Sequence, residues 1–148
     1  MALHEVIRPS RDLENDGVAL LLDCVEQCYA AAQAADACVD GCLANTSASP
    51  SLAHCIRLSL DCAELCTTAG AIAGRRIGLN AEVLRATLEA CVIACRACGR
   101  ECDRHAEQRE LCRKCFVACR RCEEACRQVV ALTTLAITPS EQRRRRRA

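Results

Sequence analysis

Bulky side chains are scarce in this sequence. There is no tryptophan, the only aromatics are Tyr29 and Phe116, and the only methionine is Met1. Side chains alone would fill such a core loosely, because aromatic and long apolar groups supply most of the volume in an ordinary interior. Strand signals are nearly absent too. β-Branched and aromatic residues alternate nowhere for long, which argues against a sheet. No apolar run is long enough to cross a bilayer, since the first cluster, Val18 to Leu22, leads directly into Asp23 and Cys24. Met1 to Arg11 lacks the continuous apolar stretch of a secretory leader and carries Glu5 early. The expected location is cytoplasmic, with no membrane partner. In that compartment thiols stay reduced and disulfides are rare.

Cysteine is the opposite case, with 16 residues of 148. Their spacing is helical. Cys91, Cys95, Cys98 and Cys102 recur at i, i+4, i+7 and i+11, and Cys112, Cys115, Cys119, Cys122 and Cys126 continue the same rhythm. On an α-helix those offsets place every sulfur on one face, where leucine would normally stand.

The rest of the chain reads as helix. A first helix is expected from about Asp12 to Leu43. The segment Asn45-Thr46-Ser47-Ala48-Ser49-Pro50 then breaks the chain and starts a second helix, with Ser49 as N-cap and Pro50 at its first position. This helix runs to about Gly74. Asn80 is the expected N-cap of a third helix, Ala81 to about Arg104. A turn is expected near His105 to Gln108, because one helix from Ala81 to Leu135 would extend roughly 80 Å at 1.5 Å per residue. The fourth helix ends near Thr134. Residues 1–11 form a lead-in, 12–137 the domain and 138–148 a disordered tail.

Four such helices with short connections predict an all-α fold, an antiparallel up-down-up-down four-helix bundle with a cysteine-lined core. The thiols then gather at the end holding the first and third turns. Cys42, Cys55, Cys102 and Cys112 form the outer layer, and Cys24 and Cys126 lie deepest. Val18, Leu21, Leu22, Ile72, Ile77, Val83, Leu84, Leu88, Val130 and Leu135 make an ordinary apolar base at the other end.

Seven CxxxC steps point to metal: Cys24/Cys28, Cys38/Cys42, Cys62/Cys66, Cys91/Cys95, Cys98/Cys102, Cys115/Cys119 and Cys122/Cys126. Residues i and i+4 lie about 5–6 Å apart at Cβ, a span two thiolates can bridge with one metal between them. A disulfide needs Cβ atoms at about 3.8 Å, so the spacing disfavours a disulfide scaffold. Thiolates favour Cu(I), zinc and iron–sulfur clusters. Four zinc ions, each on four thiolates, would leave about −8 in the core with no internal basic residue on the cysteine faces to offset it. Cu(I) at one per thiolate leaves no net charge. The Cys-Pro that ends the bacterial ferredoxin run is absent. The reading is a reservoir of multiple Cu(I) ions and not an enzyme. The alternatives are an iron–sulfur electron carrier or a zinc-binding protein.

His54 and His105 fall at the predicted mouth, beside Cys55 and Cys102. They suit metal capture at an entrance, and equally suit exposed turn positions. Asp23, Asp36, Asp40, Asp61 and Glu64 flank cysteines at offsets that point away from the thiol face. Arg143 to Arg147 supply more than the whole formal surplus of +1. No aromatic or base-reading residue accompanies this run. It reads as a solubilising tail, and nucleic acid is not an expected partner.

The CxxxC steps, the ECDRHAEQRELCRKC turn at Glu101 to Cys115 and the CRRCEEACR stretch at Cys119 to Arg127 resemble the bacterial copper storage proteins. The likeness covers roughly residues 12 to 135. It implies a four-helix bundle holding many Cu(I) ions, copper ions as the ligand and a homotetramer as the assembly. Exported relatives carry a signal peptide and entrance methionines, so this chain looks like the cytosolic branch. The family's core ligands carry over onto Cys24, Cys28, Cys38, Cys42, Cys55, Cys62, Cys66, Cys91, Cys95, Cys98, Cys102, Cys112, Cys115, Cys119, Cys122 and Cys126. Its entrance role carries over to His105 and His54.

Overall fold

A computed structural model describes residues 11–45, 50–75, 79–136 and 146–147. Four α-helices follow one another: α1 Arg11–Leu43, α2 Pro50–Ala73, α3 Ala81–His105 and α4 Glu110–Ala136. No strand occurs among the described residues. Each helix packs on its sequence neighbours, and α4 closes the ring against α1. The short connections make consecutive helices antiparallel, as the sequence predicts.

Local chemistry explains the boundaries. Asn80 adopts an extended backbone, and its side-chain oxygen accepts hydrogen bonds from the Glu82 and Val83 amides at 3.1 and 3.0 Å. Two amides that α3 would leave unpaired are thus satisfied. The weakest sequence boundary, between α3 and α4, is a tight turn held by the Gln108 and Arg109 amides on the His105 carbonyl. Pro50 opens α2, where its missing N–H costs nothing. The Ser49 cap, Ile77 and most of the arginine run lie outside the described residues, and nothing is described of the Leu135 side chain.

All sixteen cysteines are buried and free. They share one continuous core with small residues, Ala31, Ala35, Ala63, Ala69 and Ala73, and with an apolar base. That base holds Leu21, Leu84, Leu88 and Val129, all at 1% exposure or less. Val18, Ile72 and Val130 pack against it, partly buried. Two expected members are not in it. Leu22 and Val83 are each 47% exposed, because each directly precedes or follows a buried leucine and is turned about 100° from it. Leu79 and Val129 were not expected there and are buried. Small residues also set the spacing of α1 and α2. A Cβ on Gly70 would stand 3.1 Å from the Tyr29 ring, so the bare backbone is what lets this half-exposed aromatic of α1 rest against α2.

Candidate metal centre

The cysteine stripe of each helix faces the bundle axis and interleaves with the others. Close sulfur pairs link all four helices. Near the α1/α2 turn, Cys38 Sγ lies 3.6 Å from Cys112 and 3.9 Å from Cys102, and Cys55 is 3.9 Å from Cys102. In the middle, Cys62 contacts Cys95 and Cys119 at 3.9 and 3.7 Å, and Cys98 contacts Cys115 at 3.7 Å. Deeper, Cys66 lies 3.5 Å from both Cys91 and Cys95, and Cys122 joins Cys28 and Cys126 at 3.8 Å. Cys24 ends the chain of sulfurs, 3.8 Å from Cys126. Cys42, Cys55 and Cys112 group together at the outer end as expected, but with Cys38 in place of Cys102, which groups with Cys38 and Cys115.

Five groups of sulfurs are compact enough to hold a metal, with all donor atoms within 4.8 Å of one another. They are Cys38/Cys42/Cys55/Cys112, Cys38/Cys102/Cys115, Cys62/Cys98/Cys119, Cys66/Cys91/Cys95/Cys122 and Cys28/Cys91/Cys122/Cys126. Cys38, Cys91 and Cys122 each belong to two groups. Shared thiols suit bridging thiolates better than isolated tetrahedral sites, which need four ligands each of their own.

The protons of this network are unevenly held. Sγ contacts with Cys126 and then Cys28 hold Cys24 down at about 5. Contacts with Cys119, Cys66 and Cys95 hold Cys62 at about 6. Burial pushes Cys42 up, reinforced by charge on Cys38, and burial raises Cys112 in the same way. A buried thiolate is stabilised when neighbouring thiols donate to it, and those donors keep their protons more tightly. Metal ions entering such a core must displace the retained protons.

The thiol lattice has gaps that the cysteine pattern did not disclose. On α2, Ser59 occupies the i+4 position between Cys55 and Cys62 that Cys95 fills between Cys91 and Cys98 on α3. It is fully buried, with its Oγ 3.6 Å from Cys98 Sγ. On α1 the interior positions between Cys28 and Cys38 are Ala31 and Ala35, also fully buried. Following the i, i+4, i+7 register through the non-cysteine positions would have found all three.

The two histidines differ. His54 is exposed on the outer side of α2. His105 is 14% exposed, and its Nε2 lies 3.1 Å from Glu101 Oε1, which also brings Arg104 to 3.3 Å of the other oxygen. The structure thus gives His105 a buried carboxylate neighbour that sequence reasoning missed. A second buried carboxylate, Glu123, is bridged by Arg96 from α3 at 3.2 Å and by Arg127 at 2.7 Å. Both glutamates adjoin a core cysteine in sequence, and their arginines lie on the outer surface. Asp23, Asp36, Asp40, Asp61 and Glu64 are exposed, as their offsets predict. A cleft among the described residues is lined by sulfurs at this end of the bundle. Its volume is about 270 Å³, and Cys38, Gly41, Cys42, Arg109 and Cys112 line it. The Arg109 charge counters part of the upward shift at Cys42.

The family model described as "Copper storage protein" matches residues 19–131. Among solved structures, the chain is similar to a cytosolic copper storage protein from Streptomyces lividans loaded with five coppers. The two are 44% identical with a TM-score of 0.75, over 79% of this chain and 97% of the other. A structure of the Streptomyces lividans protein loaded with 10 copper equivalents is 45% identical with a TM-score of 0.73, over 76% of this chain and 85% of the other. A search of the curated proteins finds no match. No helix among the described residues is long and apolar enough to cross a membrane.

Proposed function

The chain belongs to the copper storage protein family, and from that premise we propose that it is a cytosolic store for many Cu(I) ions and has no catalytic activity. The observation that carries this reading is the sulfur network itself. Every cysteine is buried, and every one but Cys42 has another sulfur within 3.9 Å. Cys42 lies within 4.8 Å of three.

All sixteen cysteines serve as ligands. Cu(I) accepts two or three sulfurs, so neighbouring ions share thiolates along the tube and each neutralises about one thiolate charge. The thiol end opens through the cleft at Cys38, Cys42 and Cys112. His105 and His54 assist at that mouth, His105 through a ring nitrogen whose orientation Glu101 fixes. The storage unit is residues 12–137, with residues 138–148 a solubilising tail, and the assembled form is a homotetramer. The Streptomyces lividans relative is described as cytosolic and was solved with several coppers, which supports both the compartment and the cargo.

Titration of the reduced, metal-free protein with Cu(I) tests the reading. Saturation near one copper per cysteine, sixteen in all, is the expected result. Saturation at about four metal ions would sink the store and favour separate four-thiolate sites.

A further inference from the structure

The cleft at the mouth holds a pair of thiols with a second chemistry. Cys38 on α1 and Cys112 on α4 lie 3.6 Å apart at sulfur, and both line that cleft. The deeper pairs Cys66/Cys91 and Cys66/Cys95 are slightly closer, at 3.5 Å, and all five cysteines are buried, but Cys66, Cys91 and Cys95 do not line the cleft. The close pairs within one helix, such as Cys62/Cys66, are held by helix geometry with Cβ atoms about 5–6 Å apart, too far for a disulfide. Cys38/Cys112 is free of that restraint because its members sit on different helices.

The backbone holds this pair close. Gly41, one turn after Cys38, has no side chain where α1 meets α4. A Cβ there would come within 2.5 Å of the Leu111 Cδ1, the residue next to Cys112. Gly41 thus leaves room for the Leu111 side chain at the level of the pair. Closing a disulfide needs the sulfurs to move from 3.6 Å to about 2.05 Å.

We propose that Cys38 and Cys112 form an oxidant-reactive disulfide site at the mouth of the metal-free bundle. The oxidant is a small two-electron acceptor of the hydrogen peroxide class. One thiolate attacks a peroxide oxygen, the O–O bond breaks, and a sulfenic acid and hydroxide form. The second thiolate attacks that sulfur, the S–O bond breaks, and the S–S bond forms. The two thiol protons leave in water, so two thiols and one peroxide give one disulfide and two waters. The site stands whatever metal the core takes. Its consequence rests on the storage reading: oxidation removes two of the four sulfurs in the outermost cluster, so an oxidised chain loads copper more slowly.

The test needs no metal. The reduced full chain is treated anaerobically with one equivalent of hydrogen peroxide. Remaining thiols are alkylated under denaturing conditions, and peptides are mapped by mass spectrometry. The expected first product links Cys38 to Cys112 within one chain. Cys38→Ser and Cys112→Ser should each lower the yield of first-equivalent disulfide at least about tenfold, and Cys66→Ser should leave it unchanged. Circular dichroism of each variant separates loss of the site from loss of the fold. A first disulfide at Cys66, a random mixture, or overoxidation to sulfinic acid without a disulfide would each overturn the proposal. Copper saturation of the reduced wild-type chain is scored separately, so failure of the store and failure of the disulfide remain distinguishable.

Discussion

The two ends of the bundle are built from the same helices and do opposite things. At the base, Leu21, Leu84, Leu88 and Val129 fill the axis with branched carbon. At the other end, the same helical faces carry thiols, with Ala31, Ala35 and Ser59 between them. Branched apolar groups gain about 1.5–3 kcal/mol each on burial, whereas a small thiol gains less and keeps a proton to exchange. The base therefore holds the metal-free fold, and the thiol end gives up part of that stability in return for ligands.

Metal loading should change that balance most. At free copper about one hundred times the dissociation constant, each independent site adds ~2.7 kcal/mol. The copper-loaded chain should thus withstand urea concentrations that unfold the reduced apoprotein, and a thiol-competitive chelator should reverse the difference. Equal urea midpoints would erase the distinction between the two ends.

The base can be attacked directly. Leu88→Ala removes a fully buried side chain and should cost ~2–5 kcal/mol in the apoprotein, read from urea denaturation. Cys95→Ala, at an equally buried site in the thiol half, should cost about 1 kcal/mol in the same assay. If the two substitutions cost the same, both halves contribute equally and the division fails. A smaller effect, about 1 kcal/mol, is expected for Asn80→Ala, which deletes the α3 cap at the base end without touching any sulfur.

Proton release sharpens the comparison within the thiol half. Cys24 and Cys62 are held at about 5 and 6, so near neutral pH they are already thiolates and release few protons on binding metal. Cys42 and Cys112 are raised, remain protonated there, and release a proton each. Lowering the pH from neutral should weaken copper retention, because protons compete with the metal at every thiol whose hold on its proton is raised, deep ones such as Cys28, Cys66, Cys95 and Cys126 as well as Cys42 and Cys112 at the mouth. An indicator dye during stepwise loading, repeated with Cys42→Ala, measures this; an unchanged proton count would contradict it. The smallest effect on stability is expected from Ser59→Cys, which fills the gap in the α2 stripe. It should change the urea midpoint little and raise copper capacity by one.

Much of this was legible from spacing alone. The i, i+4, i+7 rhythm assigned every sulfur to an inner face, and Pro50 and Asn80 marked helix starts. The weak α3–α4 boundary also fell where length required a turn. What escaped were positions defined by neighbours rather than by type. Leu22 and Val83 looked like core because they are apolar, yet one step of helical phase turns each outward. Glu101 and Glu123 carry no mark in the sequence that separates them from the exposed acids, yet adjoining arginines let them be buried.

Periodicity is a property of one helix at a time, so sequence by itself determined the four helices, the sulfur face of each and the preference for a soft metal. Only the tertiary structure decided which sulfurs meet, because distances between helices depend on the small residues that set their approach. Gly41 leaves room for Leu111 where α1 meets α4 at the mouth, and Gly70 leaves room for Tyr29 where α1 meets α2. The clusters shared through Cys38, Cys91 and Cys122 follow from that packing, since a shared ligand requires three helices to converge on one sulfur.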